Sequence, residues 1–243
     1  MREAGCQMLF AKGSNMLEDA ELEQAACRNR KYERDPRGEK EMIREAVKVA
    51  ERADVVLAAV GEPAWMTGEA SSRTSLDIPQ PQKRLLEALV RTGRPVVLLL
   101  FSGRPMTLEW ENDNMAAILD VWYGGSEAAD AILDVIYGKV NPSGKLTMTF
   151  PRNVGQIPLY YNMKVGGRPA KTDSYKRFSS CYIDSPNSPL YPFGHGLGYS
   201  SFEYSDFALS AENMDAGGSV KASVKGTALS TDFTDLSVRS AIS

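Results

Sequence analysis

The chain has 243 residues, a hydrophobic fraction of 43%, a charged fraction of 24% and a formal net charge of -3, the profile of an ordinary globular protein with one large domain or one domain and an appendage. Neither charge sign clusters over a long run, which excludes the basic footprint of a nucleic-acid or membrane-surface binder and argues against polyanionic partners. Three cysteines without CxxC spacing, Cys6, Cys27 and Cys181, and a single histidine, His195, give no zinc site or disulfide framework, so neither metal nor cofactor is expected.

The N-terminal MREAGCQMLF lacks the charged, apolar and small-residue regions of a secretory signal, and no apolar run reaches the roughly 18 residues of a membrane span. CQMLFAKG, Cys6 to Gly13, reads as a short strand. A polar, acidic excursion follows to Arg30. Asp35-Pro36 predicts a helix start with proline at the first helical position. In that helix Ile43, Ala46, Val47 and Ala50 recur at three- and four-residue spacing and mark one buried stripe. A strand is expected over Val55 to Val60, followed by the loop Gly61 to Pro79, GEPAWMTGEASSRTSLDIP.

After that loop Leu85, Leu86, Leu89 and Val90 form a second helical stripe, ended by Gly93 and Pro95. VVLLLF, Val96 to Phe101, is apolar without alternation, as expected of a strand covered on both faces. Met115 to Tyr123 predicts another strand. Gly124-Gly125-Ser126 then turns the chain into a third helix, which Ser126 can cap, with Ile132, Val135 and Ile136 inward and Gly138 at its end. KLTMTF, Lys145 to Phe150, alternates and reads as a strand with one exposed face. From Pro151 to Ser200 the chain is rich in Pro, Gly, Tyr and Ser and predicts a long ordered wrap, because Tyr160, Tyr161, Tyr182, Tyr191, Phe193 and Tyr199 are costly to leave in water. FEYSDFALS is strand-like, and the remainder to Ser243 reads as a truncated all-β module or a disordered tail. Strand and helix alternating at least three times predict an α/β sandwich with a mostly parallel central sheet.

In an open parallel sheet, loops leaving the carboxyl ends of strands line the ligand crevice. The loop after Val60 leaves there, carrying two glutamates, Glu62 and Glu69, a base, Arg73, and one large aromatic, Trp65. Glu69, flanked by Gly68, Ala70 and Ser71, is free to project into such a crevice, and a carboxylic acid suits proton donation to a leaving oxygen. On residue chemistry alone an isolated Glu in a polar loop is most often a solvated surface acid. Glu62 follows the strand directly and is expected to serve the loop's own structure. Arg73 pairs with a carboxylate or steadies the loop; Trp65 and Met66 form a platform for a sugar ring or cover the end of the sheet. Gly124-Gly125-Ser126 is a possible anion cradle, but without GxGxxG or GxxxxGK[ST] a nucleotide site has little support. No GxSxG elbow occurs, and His195, in the Gly-rich PFGHGLGY, reads as structural.

VVLAAVGEPAWMTGEASSRTSLDIPQPQKRLLEAL, GRPVVLLLFSGRPMTL, AAILDVWYGGSEAADAILDVIYGKVNPSGKLTMTFP and LYPFGHGLGYSSFEYSDF, in this order, resemble the C-terminal α/β-sandwich domain of glycoside hydrolase family 3, and bacterial periplasmic β-glucosidases in particular. The likeness covers about Gly5 to Leu209. It implies a three-layer sandwich over residues 1–204 and, over 205–243, the truncated start of a fibronectin-III-like module. It also implies a retaining β-glucosidase acting on β-linked glucosides or oligosaccharides, with Glu69 as acid/base and Trp65 and Arg73 as substrate-binding candidates. The nucleophile belongs to an N-terminal TIM barrel with no counterpart in this chain, so the chain alone is expected to be inactive. A periplasmic or secreted location follows from the same likeness. The alternative is a non-catalytic carbohydrate-binding or scaffold module of the same fold.

Overall fold

The computed structural model describes residues 6–27 and 32–229. Three parallel strands, β1 (Val56–Gly61), β2 (Val96–Phe101) and β3 (Ala117–Asp120), lie in the order β1-β2-β3, with Val56 opposite Val96 and Leu100 opposite Asp120. Five helices flank them among the described residues: α1 (Ala20–Ala26), α2 (Glu39–Ala50), α3 (Gln80–Val90), α4 (Glu109–Asn114) and α5 (Ala128–Ile136). This is the α/β sandwich with a parallel central sheet that the alternation predicts. The core gathers Leu98 and Leu100 of β2, Ile118 of β3, Leu86 and Leu89 of α3, and Ile78, Met106, Leu146, Phe150 and Tyr191 from connecting segments. β2 is central and nearly all buried, which is why its sequence is apolar without alternation.

The buried stripe of α2 runs through Met42, Ala46 and Ala50, leaving Ile43 and Val47 at its margin. Its start lies at Glu39, with Gly38 as N-cap, rather than at Pro36. Asp35 explains the delay: its carboxylate accepts from the Arg37 N–H and guanidinium at 2.8–3.0 Å, closing a turn that holds the chain out of the helix. The acidic excursion forms α1, where Asp19 Oδ1 accepts from the N–H groups of Glu21 and Leu22 at 2.8 and 2.9 Å. Glu23 on α1 is fully buried and anchors the excursion, accepting from the N–H groups of Met16 and Leu17 at 3.2 Å and from Tyr32 and Arg34.

Several expected strands differ. Cys6 to Gly13 is not a strand: Met8 and Phe10 stay exposed, and the segment meets the core through Ala11 without joining the ladder. Met115 to Tyr123 contracts to β3, and Trp122 takes a left-handed φ of 48° that ends the ladder. Lys145 to Phe150 pairs with the wrap only at its ends, through Leu146 N–H to His195 O and Phe150 N–H to Tyr191 O. Between those points the wrap carries Pro192, which has no N–H to continue a ladder. Leu146 and Phe150 are buried as the alternation predicts, whereas Met148 is exposed. Ser126 does not cap α5, whose N-cap is Glu127 and which has no side-chain cap; Ile132, Val135 and Ile136 are half-buried. The polar α4 was not foreseen.

The wrap over 151–200 is only partly covered. Tyr191 is buried, edge-on to Phe150 and stacked on His195 at 5.0 Å, and its hydroxyl donates to Asn112 Oδ1 at 2.8 Å. Tyr160, Tyr161, Tyr182 and Phe193 are exposed, contrary to the expectation from their size. β4 (Ser201–Leu209) and β5 (Ala222–Leu229) form an antiparallel pair, and the expected division after residue 204 falls inside β4. The rest of the expected module, from Ser230, lies outside the described residues.

Candidate active site

The loop Gly61 to Pro79 begins where β1 ends, at a residue that only glycine fits. Gly61 has φ 145°, and a Cβ there would stand 1.8 Å from Phe101 O. Gln82 of α3 clamps the same residue from the outer side of β1: its Oε1 accepts from Gly61 N–H at 2.7 Å, and its Nε2 donates to Gly61 O at 2.8 Å and Met16 O at 2.9 Å. The amide thus replaces a neighbouring strand at the sheet's edge.

The two glutamates of the loop meet opposite fates. Glu62 turns inward and its side chain is wholly buried. Its Oε1 accepts from Arg73 Nη1 at 2.9 Å and lies 3.2 Å from Arg104 Nε, an ion pair whose angle is too poor for a hydrogen bond. Its Oε2 receives Gly103 N–H at 3.4 Å. Tyr123 donates through its hydroxyl to Glu62 O at 3.1 Å, and burial, followed by the Glu62 charge, pushes that phenol up to about 12. Glu62 therefore ties the ends of β1 and β2 to the loop and to the segment after β3, which is the structural service expected of it.

Glu69 is exposed and makes no ion pair among the described residues. Its carbonyl accepts from the Ser71 hydroxyl at 3.3 Å, and the same hydroxyl reaches Trp65 O at 3.1 Å. Trp65 follows β1 in a short 3-10 turn (Ala64–Met66) and keeps 49% of its surface exposed. With Met66, Ser71, Ser72 and Arg73 it borders a shallow, mainly apolar hollow against Leu22, Ala25 and Ala26 of α1. Arg73 spends its guanidinium on Glu62 and on Asp77 O, the latter at 2.9 Å, so it steadies the loop from below.

Arg104, Tyr123 and Asp120 sit at or just beyond the carboxyl ends of β2 and β3, and the rule that singles out the loop after β1 points to those ends equally. Asp120, at the last position of β3, is buried; desolvation pushes its carboxyl up to about 7, against one hydrogen bond from Trp122 N–H. Its Oδ2 has no hydrogen-bond partner among the described residues. His195 lies away from this loop, stacked on Tyr191, and burial and Lys145 lower its pKa. Among the described residues no group of His, Cys, Asp and Glu could hold a metal ion, and no helix is long and apolar enough to cross a membrane.

Comparison with known proteins adds the family. The model for the glycosyl hydrolase family 3 C-terminal domain matches residues 5–199. A periplasmic β-glucosidase of Salmonella typhimurium is 46% identical over 92% of this chain and 29% of its own length. A β-xylosidase of Formosa agariphila is 42% identical over 77% of this chain and 25% of its own length. Among solved structures, a β-glucosidase from Listeria innocua in complex with isofagomine superposes with a TM-score of 0.68 at 30% identity, covering 82% of this chain and 32% of that one. Another, from Erythrobacter marinus, gives 0.67 at 33% identity, covering 86% and 28%. The chain therefore spans under a third of the length of these relatives.

Proposed function

The chain belongs to the glycosyl hydrolase family 3 C-terminal domain family, and from that premise we propose that it is the acid/base-bearing domain of a retaining β-glucosidase, with Glu69 as the proton donor. A retaining glycosidase needs two carboxyl groups about 5–5.5 Å apart, one attacking the anomeric carbon and one protonating the leaving oxygen and later activating water. The observation that carries the reading is the division of the loop's acids. Both oxygens of Glu62 are engaged by Arg73, Arg104 and Gly103, whereas Glu69 is exposed on a loop at the carboxyl end of the sheet. The carboxylate of Asp77 accepts from the Ser75 and Thr107 hydroxyls, which leaves Glu69 as the carboxyl group of the loop that can reach a glycosidic oxygen on another domain.

The nucleophilic carboxylate is supplied by a TIM-barrel domain packed against this one. Trp65 offers its exposed face to a sugar ring or aglycone, and β-glucosides and β-xylosides are the candidate substrates, a reading that the names of the Salmonella and Formosa relatives support. The β4–β5 pair is the opening of a fibronectin-III-like module. By likeness to the Salmonella protein the setting is periplasmic or secreted.

The test combines the chain with a family 3 barrel domain and follows hydrolysis of an aryl β-glucoside. The chain alone is expected to be inactive and the combination active. Glu69→Ala should lower kcat by roughly 10²–10⁴ for a poor leaving group, with partial recovery when azide replaces the missing carboxylate. A combination that turns over normally without Glu69 overturns the assignment, and a wild-type combination that binds sugar without turnover favours a carbohydrate-binding module.

A further inference from the structure

We infer that Arg104, which leaves β2 beside Gly103, is the positioning residue that holds the Glu69 loop at its working height; this rests on Glu69 being the proton donor. Arg104 Nη2 donates to the carbonyls of Met66 and Ser71, the latter at 2.8 Å. Those carbonyls stand three residues before and two residues after Glu69, so one guanidinium closes the arc that presents the acid. Its Nε meanwhile faces the buried Glu62 carboxylate at 3.2 Å, which gives the side chain a charged anchor on the sheet side.

Gly103 brings the loop and the strand end into contact. A Cβ at that position would stand 2.3–2.9 Å from the Thr67 side chain, so the loop rests directly on this glycine. Inside the arc Ala70 has φ 56°, a left-handed conformation that alanine keeps only where its surroundings hold it. The arc has almost no apolar anchor of its own: Gly68, Glu69 and Ala70 are all exposed. Ser71 closes it from within, through its N–H to Gly68 O at 3.3 Å and its hydroxyl to Trp65 O. Fixing it from outside falls to the one side chain that binds a carbonyl on each flank.

A general acid acts only within hydrogen-bond reach of the oxygen it protonates, and a displacement of about 1 Å can cost on the order of 10²-fold in rate. Lysine cannot replace this arginine, because a single ammonium does not reproduce the planar fork that meets the anchor and the carbonyls together. Arg104 touches no reacting atom in this scheme and acts through the loop.

Two measurements test this independently. In the chain itself, Arg104→Met should speed hydrogen exchange of the Met66 and Ser71 amides, which donate to Pro63 O and Gly68 O within the arc, by roughly tenfold to a hundredfold, the loss expected for removing hydrogen bonds to a charged group, while the amides of Val96–Phe101 keep their rates. Unchanged exchange in the loop overturns the inference whatever the domain's function. Arg104→Lys, which keeps the charge against Glu62, decides the question in the same way should Arg104→Met fail to fold. In the chain combined with a family 3 barrel, either variant should lose roughly 10²-fold in kcat/KM for glucosides with poor leaving groups and little in kcat/KM for dinitrophenyl glucoside, whose departure needs no proton, although kcat and KM for the latter fall together because water activation slows. An equal loss for both substrate classes marks a merely structural role and overturns the inference. If the wild-type combination turns over neither substrate, the reading of Glu69 falls and the exchange measurement still decides the positioning of the loop.

Discussion

Asp120 should make the folded state sensitive to pH in an unusual direction for a carboxylate. Burial raises its pKa from 3.8 to about 7, and one hydrogen bond from Trp122 N–H offsets only part of that. The folded state therefore binds a proton that the unfolded chain has released over the interval between the two values, so stability is fully present below about 4 and falls as pH rises through about 7. A shift of about three units corresponds to about 4 kcal/mol at 1.36 kcal/mol per unit, an upper bound for a group that is not completely enclosed. The perturbation is Asp120→Asn, which keeps the shape and removes the charge. The assay is urea unfolding of both proteins from pH 4.5 to 8, read as the difference in unfolding free energy at each pH, so that every other titrating group cancels. Asp120→Asn should gain on the wild type as pH rises from 4.5 to about 7 and level off above it, the gain reaching at most about 4 kcal/mol. A difference that stays flat across that range refutes the reasoning, because it means that the carboxylate finds a partner or water that balances its burial.

Two further substitutions probe the frame around the loop. Glu62→Leu leaves the guanidinium groups of Arg73 and Arg104 facing each other without their shared carboxylate, and should cost about 3–5 kcal/mol by denaturant unfolding; a loss under 1 kcal/mol would show that solvent already screens the cluster. Gln82→Leu leaves Gly61 N–H and the carbonyls of Gly61 and Met16 unpaired at the edge of the sheet, so a loss of about 2–4 kcal/mol and faster exchange of the β1 amides are expected. A neutral effect on both would mean that water reaches that edge.

Where one segment carries its own reason for its conformation, the sequence showed it. β2 reads directly from VVLLLF because a strand buried on both faces has no polar face to display, and α3 reads from a leucine stripe that the core does bury. Where the reason lies far along the chain, a local window fails. α4 is EWENDN, polar but for Trp110, yet Glu111 is buried because Lys83, 28 residues away, pairs with it at 2.6 Å while lying over the Trp110 ring. Lys145 to Phe150 has the alternation of a strand, but a strand also needs an uninterrupted partner, and Pro192 denies it one. The site divides in the same way. The loop was found from its place after β1, and the structural part of Glu62 from its adjacency to the strand. Arg104 was passed over because SGRP reads as an ordinary turn, and nothing in those four letters shows that the loop at Met66 and Ser71 lies above them.

The separation of Glu62 from Glu69 follows from what each task demands of a carboxylate. To join three strand ends, a group has to be enclosed and fully bonded: Glu62 receives two arginines and a backbone N–H, and giving up any of them to reach a substrate would leave a buried guanidinium uncompensated. To transfer a proton to an oxygen held by another domain, a group has to stand clear of such bonds while its backbone stays fixed. Glu69, the proposed proton donor, meets the second demand, with an exposed side chain on an arc closed by Arg104 and Ser71. One carboxylate could not satisfy both conditions, so a loop that fixes itself and also reaches outward needs two acids, the inner one where the strand ends and the outer one at the crest.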